Sequence, residues 1–292
     1  MEERFGRWLR VHWHLGDPVL WAGPGWATLC GAISAGVGQL DREMAIRLLL
    51  VYFLADPLLG AVWNSAAMLA AGTDEEDVAV GEANEPATWW PYAQPNSASA
   101  RLHARWRQIV RSLRHDGALG VALGGMTWGL LLSLLVGFVL GDSIWPLTVG
   151  ASGLALCSIV AGAGIPAQWR VLFPLWFAWL LGHAALGPLR WLPVAIGGLY
   201  AMTLYAYATL SDPALGMSRL PLANAAQIGV ALLLVLARQP WLAGIVGALL
   251  WAQWLLQSPL GREDRVMAFW RWCNLPLLVS MLAAAWGMAA IS

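Results

Sequence analysis

The sequence predicts an all-α, polytopic membrane protein. Three features predict it: an excess of apolar over charged residues, about nine apolar runs of bilayer length, and a one-sided distribution of arginine. Hydrophobic residues make up 59% of the chain and charged residues 12%, whereas soluble domains are about a quarter charged. A fold of 292 residues could not hide that much apolar surface from water, so lipid covers part of it. The formal net charge is zero, which offers a nucleic acid no electrostatic footing.

Runs long enough to cross a bilayer, roughly 17 to 25 residues each, fall at 18–40, 44–71, 117–140, 145–165, 169–187, 190–210, 220–237, 240–257 and 272–291. They form one transmembrane domain over 1–292. The connections are short except for 72–116, which is polar and reads as a cytoplasmic loop with an amphipathic surface helix around 100–114. Met1 to His14 are charged and aromatic rather than a basic stretch followed by an apolar one, which predicts no cleavable signal peptide.

Arginine sets the direction. With a cytoplasmic N-terminus, the inside segments collect Arg4, Arg7, Arg10, Arg101, Arg105, Arg107, Arg111, Arg114, Arg170, Arg219, Arg262, Arg265 and Arg271. The outside segments collect only Arg42, Arg47, Arg190 and Arg238. That bias predicts a multi-pass protein of the inner (cytoplasmic) membrane with its N-terminus in the cytoplasm.

Cys30, Cys157 and Cys273 lie in or beside apolar runs without C-x-x-C spacing, which reads as buried thiols rather than a disulfide framework or metal site. Of the 20 tryptophans, Trp8, Trp13, Trp145, Trp169, Trp191, Trp241 and Trp270 stand near predicted helix ends, where indoles favour the headgroup level. Trp26, Trp63, Trp128, Trp176, Trp179, Trp251, Trp254 and Trp286 lie inside runs. They either pack the core or line a cavity for a large flat or polyprenyl ligand.

Polar groups inside apolar runs are costly and mark candidate sites. Asp56 and Asn64 fall in the second run, and Pro57 pushes the backbone at Asp56 away from regular helix. His183 sits near the outer end of the fifth run, as an interfacial hydrogen-bonding group or a ligand for the magnesium of a chlorin. Asp212, in Ser211-Asp212-Pro213, is a turn former or a site carboxylate. Thr73-Asp74-Glu75-Glu76-Asp77 follows the second run. Asp74 and Asp77 would share a helix face and could hold Mg²⁺ against a diphosphate; alternatively, the cluster is a solvated helix end.

Several segments, in order along the whole chain, resemble the chlorophyll and bacteriochlorophyll synthase branch of the UbiA superfamily of intramembrane prenyltransferases. Asp17-Pro18-Val19-Leu20-Trp21-Ala22-Gly23-Pro24-Gly25-Trp26-Ala27 with Cys30-Gly31 resembles its opening helix, and Pro57-Leu58-Leu59 its second. Asn84-Glu85-Pro86 is similar to the N-E-P after its first aspartate motif. The stretch from Asp212 through Gly216 to Pro221 is similar to its G-D-x-x-L-G-x-x-S-L-P segment, and Ser280–Trp286 to its closing helix. The resemblance implies a UbiA-like bundle of nine helices. It also implies two cytoplasmic aspartate motifs that hold Mg²⁺ and a prenyl diphosphate, and a cavity that shields the allylic cation captured by a chlorophyllide propionate.

The sequence departs from that pattern at the chemistry. Counted back from Asn84, the first motif, N-D-x-x-D-x-x-x-D, places aspartates at Asp74 and Asp77 but Gly81 at the third. Counted forward from Pro57, it places its asparagine at Asn64 and Ser65, Met68 and Gly72 at all three aspartates. The registers differ by nine residues, so an insertion lies between them. In the second motif Asp212 matches the later aspartate, while Leu204 and Tyr205 replace Asn and Asp. The Y-S-x-P-P of the family stands here as Gly162-Ala163-Gly164-Ile165-Pro166.

Magnesium needs several placed oxygen ligands, so the departures predict a retained scaffold with lost prenyl transfer. Such a protein would bind a (bacterio)chlorophyll, carotenoid or isoprenoid quinone, as a subunit or assembly factor of a photosynthetic membrane complex. Its cavity would be lined by Trp26, Trp63, Asn64 and Trp128 and by Trp176, Trp179, His183 and Tyr205. The alternative is an active Mg²⁺-dependent prenyltransferase using Asp74, Asp77 and Asp212, with Arg170 and Arg219 neutralising the diphosphate.

Overall fold

Backbone polar groups in lipid must be satisfied within the protein, and a helix does this locally. Accordingly, every regular element among the described residues is helical. The computed structural model describes residues 23–36, 41–71, 117–161, 169–211, 216–257 and 266–290. The expected loop 72–116, with its surface helix, lies outside these residues.

Helix α1 (Pro24–Ser34) starts with proline at its first turn, where a missing N–H costs nothing. It closes at Gly36, whose φ of 80° is left-handed. Helix α2 (Arg42–Phe53) is capped by Asp41, whose carboxylate accepts from the Met44 N–H at 2.7 Å. The backbone departure expected at Asp56-Pro57 is a π turn (Leu54–Leu58) that carries α2 into α3 (Leu59–Ala71) without a break. Widening the turn relieves the clash between the proline ring and the preceding carbonyls. The chain continues through α4 (Gly117–Leu140), α5 (Trp145–Ala161), α6 (Trp169–Leu186) and α7 (Trp191–Ala208). A 3-10 turn (Thr209–Ser211) follows, then α8 (Gly216–Leu236), α9 (Pro240–Gln257) and α10 (Val266–Ala289).

Among the described residues, four helical stretches are long and apolar enough to cross a membrane: Arg42–Ala70, Gly120–Leu140, Ser218–Leu236 and Trp272–Ala289. Trp145–Ile159 and Val171–Leu186 are shorter apolar helices. One group of helices gathers α3 with α4 and α5, and α2 with α6. A second runs in chain order, with α8 on α7, α9 on α8 and α10 on α9. Helix α1 joins the groups by packing on both α6 and α10, and α6 also packs on α7.

The α1–α6 crossing is backbone against backbone. A Cβ on Gly31 would run into the carbonyl oxygen of Trp179, and one on Gly182 into the carbonyl oxygen of Thr28. Gly31 meets residues 179 and 183, and Ala35 meets Gly187, so the two helices run parallel. On the next helix, Gly197 makes room for the Trp179 indole, since a Cβ there would lie 2.6 Å from its Cγ and Cδ1. Gly31→Ala or Gly182→Ala should therefore force the helices apart and cost about 1–3 kcal/mol or more. Thermal unfolding in detergent checks this, with Gly153→Ala, which meets no atom within 4 Å, as the control that keeps its melting temperature.

Candidate functional site

Asp74, Asp77 and Asp212 lie outside the described residues, as does the side chain of Arg170 at the start of α6. Arg219 sits, partly buried, in the first turn of α8. Leu204 and Tyr205 are buried near the end of α7. Asn64 is exposed on α3, and so is Met68 one turn further along. Among the described residues, no three His, Cys, Asp or Glu side chains gather as a metal site.

The interior tryptophans separate into two populations. Trp63 is buried and stacks on Phe173 of α6 at 6.5 Å between centroids, and Trp179 is buried against Tyr200 of α7 at 6.1 Å. Trp176 is half-buried and donates Nε1–H to the Val194 carbonyl at 3.2 Å. Trp26 is half-buried in α1, and the indole nitrogens of Trp26, Trp63 and Trp179 are buried without a partner. By contrast Trp128, Trp251, Trp254 and Trp286 are exposed. The cavity residues expected from the sequence thus do not all converge: Trp128 and Asn64 face outward, while Trp179 and His183 are packed between helices.

His183 has both ring nitrogens engaged. Nε2–H donates to the Pro188 carbonyl at 3.1 Å, and Nδ1 lies 2.9 Å from the Ser34 hydroxyl. Ser34 Oγ also lies 2.6 Å from the Gly31 carbonyl. The imidazole therefore ties α6 to the end of α1, beside the glycine crossing. A magnesium ligand would need one of those nitrogens freed, so of the two roles open to His183 the interhelical hydrogen bond is the one its geometry serves.

Among the described residues, a dense polar cluster lies between α7, α8, α9 and α10. Tyr207 donates its hydroxyl to Gln253 Oε1 at 2.8 Å, and Gln227 Nε2 donates to Tyr207 Oη at 3.2 Å and to Gln253 Oε1 at 2.9 Å. Gln253 Nε2 returns a bond to Gln227 Oε1 at 3.1 Å, and the Cys273 thiol lies 3.5 Å from Gln253 Oε1. Phe269 closes the cluster edge-on to Tyr207, at 5.4 Å between centroids. One turn away, Asn224 and Gln257 exchange reciprocal amide bonds of 3.1 and 2.9 Å. This ladder leads from the start of α8 and the end of α9 into the buried middle of the four helices.

Sequence reasoning singled out Cys273 as a buried thiol but missed Tyr207, Asn224, Gln227, Gln253 and Gln257. The available signal was amides at helical spacing inside apolar runs, Asn224 with Gln227 and Gln253 with Gln257, but the carboxylates and His183 drew the attention instead. Asn274 in α10 was missed too. It is 3% exposed, and both amide atoms lack a hydrogen-bond partner. Gln253→Leu should remove the bonds that Gln253 makes to Tyr207 and Gln227 and cost about 1–3 kcal/mol. Gln227→Leu should cost less in the Gln253→Leu background than alone, a non-additivity that a thermal-unfolding double-mutant cycle reads directly.

The chain is 28% identical over 306 aligned positions to the bacteriochlorophyll synthase 34 kDa chain of Chloroflexus aurantiacus, an alignment covering 97% of this chain and 91% of that protein. No protein-family model and no solved structure matches it. The similarity runs over nearly the whole of both chains.

Proposed function

We propose that the chain is a chlorophyll-synthase-like inner-membrane protein of about nine spans, with a cytoplasmic N-terminus, that binds a pigment or isoprenoid and has lost prenyl transfer. Full-length similarity to bacteriochlorophyll synthase supports the UbiA-like scaffold. The parallel run of α1 and α6 supports the topology, because the first and fifth spans of an alternating chain cross in the same direction. The observation that carries the loss of transfer is at Leu204 and Tyr205. Where the resemblance calls for Asn and Asp, a leucine and a phenol are buried in the bundle.

Mg²⁺ fits the described residues poorly. The positions that would serve it supply Leu204, Tyr205 and an outward Asn64, and a hard cation wants several converging oxygens. Any metal site would rest on Asp74, Asp77 and Asp212. A second reading, active Mg²⁺-dependent prenyl transfer through those three, is favoured by one observation. Asp74 and Asp77 keep the family register to Asn84-Glu85-Pro86, in a chain aligned with a synthase over nearly its full length.

The test is incubation of purified protein with chlorophyllide a, geranylgeranyl diphosphate and MgCl₂, alongside pigment and isoprenoid analysis of its solvent extract. The proposal expects bound pigment or isoprenoid and no ester. Ester formation that disappears without Mg²⁺ and falls by orders of magnitude in Asp74→Asn or Asp212→Asn would establish the second reading instead.

A further inference from the structure

Arg47 stands inside an apolar span without a counter-ion among the described residues. It belongs to the stretch Arg42–Ala70, where a cation is costly unless something answers its charge. Nη2 donates to the Leu140 carbonyl at 3.2 Å, and Nε is buried without a partner. Nη1 is neither enclosed nor bonded among the described residues. Leu140 ends α4, where unpaired carbonyls carry a partial negative charge. A partial charge leaves most of the guanidinium charge unanswered.

The neighbouring side chains define what can reach it. The bond to Leu140 places Arg47 at the seam where α2 runs beside the end of α4. On α2, Arg47 lies between the buried flank of Val51 and the exposed flank of Leu50. On α4, Val139 is 70% exposed next to Leu140. The seam is therefore apolar, open to lipid, and headed by a cation. Its outer rim is acidic. Glu43 is exposed one turn before Arg47 on the same flank of α2, and Asp142 is exposed in the turn that follows α4. No ion pair joins either carboxylate to Arg47, whose reach is taken by Leu140. Asp41 is engaged in capping α2, and Arg42 stands about 140° round the helix from Arg47.

We propose that this seam holds a phosphatidylethanolamine molecule, with its phosphate on Arg47 and its ammonium at Glu43 and Asp142. The order of charges carries the assignment. From the apolar seam outward the protein presents a cation and then carboxylates, and this lipid presents acyl chains, a phosphate and then an ammonium. A phosphate oxygen accepts from the open Nη1 in a charge-assisted bond, and the ammonium has three N–H donors for the carboxylates. Phosphatidylglycerol would meet Arg47 in the same way but bring no cation to the acidic rim. Leu50 and Val139 give one acyl chain an apolar bed beside the head.

The experiment adds palmitoyl-oleoyl phosphatidylethanolamine or phosphatidylglycerol to delipidated protein in detergent and reads bound lipid by native mass spectrometry. Wild type should retain the ethanolamine lipid about tenfold better than the glycerol lipid. Glu43→Gln combined with Asp142→Asn should remove that preference, and both substituted side chains are exposed, so the fold is kept. Arg47→Met should weaken retention of the ethanolamine lipid about tenfold. Equal retention of the two lipids by wild type overturns the proposal without any variant. A preference unchanged in the double carboxylate variant, or retention unchanged in Arg47→Met, overturns it as well. Glycerophosphoethanolamine, the same head without acyl chains, should not displace the lipid at equal concentration. Displacement would make this a site for a soluble phosphodiester and sink the lipid assignment.

Discussion

At Gly31 and Gly182 the backbones of α1 and α6 touch, and the arrangement of the other helices follows from that contact. In lipid, apolar surface gains little by leaving its surroundings, so helices associate through close packing and through polar groups that find partners. Two glycines allow the closest approach a helix pair can make. Once α1 lies against α6, Ser34 comes within reach of His183, Trp179 is pressed toward Gly197 and Tyr200, and α1 is held where it also meets α10. The crossing thereby couples the α2–α6 helices to the α7–α10 helices.

Polar side chains give the bundle its register. His183 has both nitrogens engaged, Tyr200 meets Ser280, and Tyr207 shares two glutamines drawn from α8 and α9. Each of these bonds joins helices or a helix and its following turn, and each would be expensive to leave unmade in an apolar medium. A helix in α7–α10 cannot slide by one turn without orphaning an amide. Asn274, like the indole nitrogens of Trp26, Trp63 and Trp179, is buried without such a partner.

The same accounting bears on chemistry. A prenyl-transfer site of the kind the resemblance implies is built from carboxylates at a membrane face. At the end of α7 the described residues are instead buried Leu204 and Tyr205, and the polar investment of the bundle is in neutral amides and hydroxyls. Neutral groups hold uncharged ligands and fix helices; they do not neutralise a diphosphate.

Several features were legible in the sequence because they depend on one helix at a time. The all-helical class followed from apolar runs of bilayer length, and the departure at Asp56-Pro57 from the restriction that a proline places on the residue before it. Hydropathy also flagged His183 and the interior tryptophans as groups needing explanation. Which tryptophans are buried was not legible: Trp63 and Trp179 pack inside while Trp128 and Trp286 face out, and a run that is apolar on every side has no periodicity to tell its faces apart. The pairing of Gln227 with Gln253 and the seating of Gly31 on Trp179 and of Gly182 on Thr28 join residues far apart in the chain. Composition and spacing determined that this protein lives in a membrane as helices. Only the tertiary structure decided which polar groups find each other and which are left without a partner, because a hydrogen bond between helices depends on how their faces are turned, and no local stretch of sequence records that.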